Sequence, residues 1–162
     1  MTKRLTRAGL LTALALIIFV LEAQLPPLVP IPGIKLGLAN IITLYALFRL
    51  GPGDTLAVLL VRIFLGSVFA GAMSAMLFSL AGGLFCYLIV LLLRRLVTER
   101  QIWVCGVFGA IFHNLGQTGA AILIYGTPAA AFYLPVLLLS AVITGTFTGL
   151  AAQAAIVRLG KN

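Results

Sequence analysis

PPLVPIPGIKLGLANI, residues 26–41, interrupts a chain that is otherwise apolar on both sides. Four prolines, Pro26, Pro27, Pro30 and Pro32, fall within seven residues, and Lys35, Gly37 and Asn40 follow before apolar sequence resumes. Proline fixes φ and removes a backbone donor, so residues 26–33 cannot form a helix interior. The run therefore ends one apolar segment and introduces another. Whether those segments line a soluble core or cross a bilayer decides the fold.

Composition answers that question. Of 162 residues, 62% are hydrophobic and 9% are charged, with a mean hydropathy of +1.21. A soluble domain carries about 25% charged residues. A chain this poor in charge cannot cover a water-facing surface, and it reads as an integral membrane protein. The first apolar stretch runs about 15 residues to Glu22 with no small-residue cleavage site behind it, which argues against a removable signal. Cys86 and Cys105 lie in apolar segments without C-x-x-C spacing or clustered histidines, so they read as buried small residues rather than metal ligands or a disulfide.

Six apolar segments follow from the hydropathy pattern, at about 5–25, 35–50, 54–71, 74–93, 101–125 and 132–157. The expected fold is an all-α membrane bundle of six transmembrane helices in one domain, 1–162, with both termini cytoplasmic. That orientation places Lys3, Arg4, Arg7, Arg49, Arg94, Arg95, Arg100, Arg158 and Lys161 inside, nine of the eleven cations. It is the arrangement the positive-inside rule demands. The net charge of +8 thus marks helix ends; no basic run interleaved with aromatics suggests nucleic acid. The proline run becomes the external connection between the first two helices. It serves either as a rim over a cavity or as a plain helix stop.

Polar residues at membrane depth carry the functional information, because a central Arg or Lys costs on the order of 2.5–3.5 kcal/mol on insertion scales. Arg62 sits mid-segment in VLLVRIFLGSVF (58–69), about 14 Å from the external end of its helix. His113, Asn114 and Gln117 cluster in AIFHNLGQTGAA (110–121), with His113 and Gln117 four apart on one helix face. Asn40 lies below Lys35 in the second helix, and Glu22 near the outer end of the first. Lys35, Asn40, Arg62, His113, Asn114 and Gln117 are the candidate ligand-binding residues, converging in the outer half of the membrane. Two cations against one acid favour an anionic or strongly polar ligand. The rival reading pairs Arg62 with Glu22 and uses the amides as interhelical hydrogen bonds.

Small residues form two further patterns. Gly145 and Gly149 make a G-x-x-x-G stripe beside Ser140, Thr144 and Thr148, best read as packing inside the bundle. Gly9 and Ala13, four apart near the cytoplasmic end of the first helix, make a smaller version, a candidate contact either inside the bundle or with a separate membrane subunit.

The sequence has no G-x-x-x-x-G-K-S/T loop for a nucleotide. With a single aspartate, Asp54, it has no Asp-rich motif to hold magnesium and a diphosphate. It points away from an enzyme, and no metal or organic cofactor is expected.

PIPGIKLGLANI (30–41) and GAIFHNLGQ (109–117) resemble the small bacterial membrane proteins called the Gx transporter family, also labelled component I of heptaprenyl diphosphate synthase. The resemblance covers essentially the whole chain. The chain is also similar to the substrate-binding S components of energy-coupling-factor importers, six-helix proteins that bind ligand in the outer half under the first external loop. That resemblance implies a small-molecule ligand at the six candidate residues, a transmembrane scaffold subunit with two ATPases as partners, and a place in the bacterial plasma membrane. S components often show an A-x-x-x-A face for the scaffold, which the Ala8/Thr12 and Gly9/Ala13 pairs match loosely. The synthase label implies a different role, a non-catalytic membrane partner in prenyl diphosphate or quinone synthesis.

The charge distribution makes a topological prediction. With the native cysteines removed, Val29→Cys and Thr127→Cys variants should react with an impermeant thiol reagent from outside, and Thr98→Cys should not. External labelling of Thr98→Cys would overturn the orientation.

Overall fold

The computed structural model describes residues 2–24, 37–71, 73–126 and 128–159. The proline-rich connection, with Lys35, lies outside the described residues. The elements are α1 (Thr2–Gln24), α2 (Ala39–Arg49), α3 (Pro52–Phe69), α4 (Met73–Leu93), α5 (Ile102–Tyr125), a 3-10 turn (Pro128–Tyr133) and α6 (Leu134–Leu159). All regular structure among the described residues is helical. Five of the helices are long and apolar enough to cross a membrane, and the chain is a multi-pass membrane protein.

Local chemistry sets the helix ends. Gly51, at φ +97°, turns the chain so that Pro52 can open α3, where its missing N–H costs nothing. Gly126 closes α5 in the left-handed conformation, its N–H bonding the Ile122 carbonyl. Pro135 falls in the first turn of α6, the one place in a helix that tolerates it.

The second helix differs most from the sequence expectation. It begins at Ala39, not 35, because Gly37 has a positive φ of 67° and Leu38 is a turn residue. With 11 residues it is about 16 Å long, roughly half of a 30 Å hydrocarbon core. It is nonetheless the hub. The other helices follow one another in an open series in which α1 neighbours α3, α3 neighbours α4, and then α5 and α6 follow; α2 touches all five. Ala39, Thr43, Leu44, Ala46 and Leu47 of α2 are buried.

Basic side chains gather at one end of the bundle. Arg4 of α1 pairs with Asp54 of α3, Arg49 donates to the Ile156 carbonyl of α6, and Arg94 donates to the Leu47 carbonyl of α2 at 2.9 Å. The starts of α1 and α3 and the ends of α2, α4 and α6 thus meet there. Cations on terminal carbonyls oppose the negative ends of the helix dipoles, so these arginines tie helices together. Just inside this end lies the apolar core, built on Leu44, Leu47, Leu59, Ile63, Tyr87 and Val90.

Two seams differ in tightness. Between α5 and α6, a Cβ added at Gly145 would lie 2.7 Å from the Gly106 carbonyl oxygen, and one at Gly149 would lie 2.7 Å from Trp103 backbone atoms. The G-x-x-x-G stripe is therefore internal, as its sequence context suggests. By contrast α1 packs only against α2 and α3. Leu5, Leu10, Ile17 and Leu21 on its outer side are exposed, as expected of a lipid-facing surface. A Cβ on Gly9 would meet nothing within 4 Å.

These contacts predict opposite outcomes for two substitutions. Gly145→Val should destabilise the detergent-solubilised protein by about 1–3 kcal/mol or more through overpacking, whereas Gly9→Ala should be neutral or slightly stabilising. Thermal unfolding followed by fluorescence-detected size exclusion measures both; equal stability of the two variants would contradict the seam.

Candidate functional site

Because α2 fills only the half of the bundle next to the basic end, the other half is left with space. A cavity of ≈ 90 Å³ lies there. A single water needs about 10–15 Å³ on a comparable measure, so the space admits a small molecule. Every helix contributes to the wall. Phe19 and Glu22 come from α1, Asn40 from α2, Arg62 and Ser67 from α3, Ser79 from α4, His113, Asn114 and Gln117 from α5, and Thr144 and Thr148 from α6.

Five of the residues singled out from the sequence, Asn40, Arg62, His113, Asn114 and Gln117, thus face one space. Lys35 lies outside the described residues. Ala8, Gly9, Thr12 and Ala13 are distant from the cavity wall; Gly9 and Ala13 are exposed, and the Thr12 hydroxyl donates to the Ala8 carbonyl at 2.9 Å.

Arg62 is 7% exposed. Its buried Nε has no hydrogen-bond partner, and among the described residues no carboxylate oxygen lies within 4.0 Å of its guanidinium nitrogens. Glu22, on the same cavity, is occupied elsewhere. Its two oxygens accept from the Gly37 N–H at 2.6 Å and the Leu38 N–H at 3.0 Å. Leu38 occupies the N-cap position of α2 without a side chain able to cap; the Asn40 and Ile41 N–H groups turn back onto the Gly37 and Leu38 carbonyls, and the two N–H groups just ahead of the helix take their acceptor from α1. A carboxylate at a helix N-terminus also opposes the positive end of the dipole. The rival reading of Arg62 as one half of an ion pair with Glu22 is corrected by this geometry: the carboxylate caps α2 instead.

The amides and hydroxyls divide between structure and cavity. Asn114 donates its Nδ2 to the Leu137 carbonyl at 2.8 Å, which ties α5 to α6 and leaves its carbonyl oxygen. Thr144 and Thr148 donate to carbonyls of their own helix, Ser140 at 3.0 Å and Gly145 at 3.3 Å, so their oxygens face the cavity as acceptors. His113 and Gln117 are held by a close approach of α4. A Cβ at Gly82 would fall 2.7 Å from Gln117 Cγ and 3.0 Å from His113 Cε1, and one at Gly116 would fall 2.8 Å from the Ala81 carbonyl. Phe19 lies over Gly66 of α3 in the same manner, its ring 3.0 Å from where a Cβ would stand.

Sequence reasoning missed the capping role of Glu22 and the wall positions of Phe19, Ser67, Ser79, Thr144 and Thr148. Ser67 and Ser79 gave no pattern to follow.

The sequence profile of heptaprenyl diphosphate synthase component I matches residues 11–155, from the middle of α1 into α6. The chain belongs to the heptaprenyl diphosphate synthase component I family. No curated protein and no solved structure matches it. The matched span of the component I family contains every described residue of the cavity wall. The family bears the name of one component of a synthase, which implies a partner subunit.

Glu22→Ala removes the acceptor at the start of α2 and should cost about 1–2 kcal/mol. Hydrogen exchange of amides 39–43 should accelerate while α5 and α6 stay protected. Unchanged exchange in α2 would contradict the capping role.

Proposed function

We propose that the chain is the substrate-binding membrane subunit, S-component-like, of an energy-coupling-factor type importer in the bacterial plasma membrane. Its load is a small polar or anionic molecule of the vitamin or cofactor-precursor kind. The observation that carries this reading is the cavity itself. All six α-helices wall it, it lies in the half of the bundle away from the basic end, and it holds a buried arginine whose Nε has no hydrogen-bond partner among the described residues. Burying a guanidinium costs several kcal/mol, and a site that binds an anion or polar ligand recovers that cost on loading.

In this reading the chain crosses the membrane six times, residues 1–162 form one transmembrane domain, both termini are cytoplasmic, and the cavity opens outward. Asn40, Arg62, His113, Asn114 and Gln117 contact the ligand, and Lys35 guides it electrostatically at the mouth. The scaffold subunit docks on α1 along Ala8, Gly9, Thr12 and Ala13. Two points support that face: Gly9 and Ala13 are exposed, and a Cβ on Gly9 would meet nothing. Partner ATPases supply the energy, since the sequence carries no nucleotide loop.

The family name favours a second reading, a non-catalytic membrane partner in prenyl diphosphate or quinone synthesis. A prenyl transferase of the magnesium-dependent type uses paired Asp-rich sites, and this chain has one aspartate, Asp54, engaged with Arg4.

Purification in mild detergent separates the two. The importer reading predicts a small molecule co-extracted with the protein and detected by mass spectrometry, and co-purification with a scaffold and ATPases. Arg62→Ala and Asn40→Ala should each weaken retention of that molecule by roughly 1–3 kcal/mol. Co-purification with a prenyl transferase and no small ligand, or robust uptake by liposomes containing this chain alone, would overturn it.

A further inference from the structure

The sequence contains three acids, Glu22, Asp54 and Glu99. Among the cavity-wall residues Glu22 is the single carboxylate. Opposite charges facing one apolar-walled space attract strongly, because the effective dielectric constant is low. Yet Glu22 and Arg62 do not form an ion pair. The reason is on the α1 side: both Glu22 oxygens are committed to backbone N–H groups at the start of α2. The carboxylate is held off, and the guanidinium stays available with its Nε unpartnered.

Two consequences follow for what can occupy the space. A planar guanidinium whose Nε has no acceptor among the described residues matches a carboxylate better than a neutral carbonyl or hydroxyl. The Glu22 charge, fixed in the same cavity, repels a second negative group on the ligand, since like charges in a poorly screened site cost free energy. The apolar part of the wall, Phe19, Ile63 and Ala110, accommodates a short hydrocarbon body, and the ≈ 90 Å³ volume keeps that body small.

We infer that the cavity recognises a small organic acid of single negative charge, with the carboxylate seated on the Arg62 guanidinium and Glu22 rejecting a second charge. This rests on the substrate-binding reading above and adds the charge class of the substrate and a selectivity role for Glu22.

The test uses thermal stabilisation of the full chain in detergent by three probe pools: straight and branched monocarboxylates of three to eight carbons, their primary amides, and dicarboxylates of the same lengths together with inorganic phosphate. The monocarboxylate pool should raise the unfolding temperature and the other two should not. Arg62→Gln should weaken the monocarboxylate response on the order of ten- to a hundred-fold in half-saturating concentration, and Arg62→Lys should retain part of it. Glu22→Gln, which keeps one acceptor oxygen for α2, should admit the dicarboxylates. Amides acting as well as acids, or an undiminished response in Arg62→Gln, would overturn the carboxylate seat. Dicarboxylates stabilising the wild-type chain as well as monocarboxylates do would overturn the role of Glu22. A silent monocarboxylate pool, with a co-extracted molecule that is neutral, cationic or dianionic, would sink this inference and leave the substrate-binding reading standing. No response to any pool and no co-extracted molecule would sink both.

Discussion

The fold depends on a short helix held in place at both ends. The Glu22 carboxylate of α1 takes the Gly37 and Leu38 N–H groups that lead into α2, and the Arg94 guanidinium after α4 donates to the Leu47 carbonyl near its last turn. Each contact satisfies backbone groups that a helix of 11 residues leaves open at its ends, and water is not there to satisfy them in a bilayer. Fixed in this way, α2 touches every other helix and fills one half of the bundle with Leu44 and Leu47. The cavity is the remainder of the same space.

The surrounding helices differ in how firmly they are joined. The α4–α5–α6 side is closed by glycines whose backbones meet neighbouring backbones, Gly106 against Gly145 and Gly149, and Gly116 against Ala81. That side carries His113, Asn114 and Gln117, so these groups are set by backbone packing. The α1 side rests on the Phe19 ring over Gly66, the Glu22 cap and the Arg4–Asp54 pair. Its outer surface is apolar and exposed. In the proposed importer reading, this wall of polar side chains gathers the ligand and the more lightly attached α1 docks the membrane partner.

Much of this was legible in the sequence, and for identifiable reasons. Charge at 9% and the clustering of cations at segment ends gave the membrane class and the helical architecture, because the bilayer forbids most alternatives. Arg62, His113, Asn114, Gln117 and Asn40 were conspicuous because polar groups in apolar segments are costly, and the structure brings those five to one cavity. The extent of α2 was less legible. Residues 37–38 are apolar or small, so hydropathy reads straight through them, while a positive φ at Gly37 and a carboxylate from another helix decide the boundary. The same non-local bond explains why Glu22 read as a partner for Arg62: proximity follows from depth, but which donors a carboxylate takes depends on three-dimensional placement. Ser67 and Ser79 are single hydroxyls in helices, with no spacing to betray the face they share.

In the proposed reading, the space beside α2 is a ligand site built around a buried arginine whose Nε has no hydrogen-bond partner among the described residues. The most direct measurement is an experimental density map of the full chain extracted in mild detergent without added ligand. The account predicts non-protein density within hydrogen-bond distance of the Arg62 guanidinium, with Glu22 still bonded to the Gly37 and Leu38 amides. A collapsed cavity in which Arg62 is paired directly with Glu22 would contradict it.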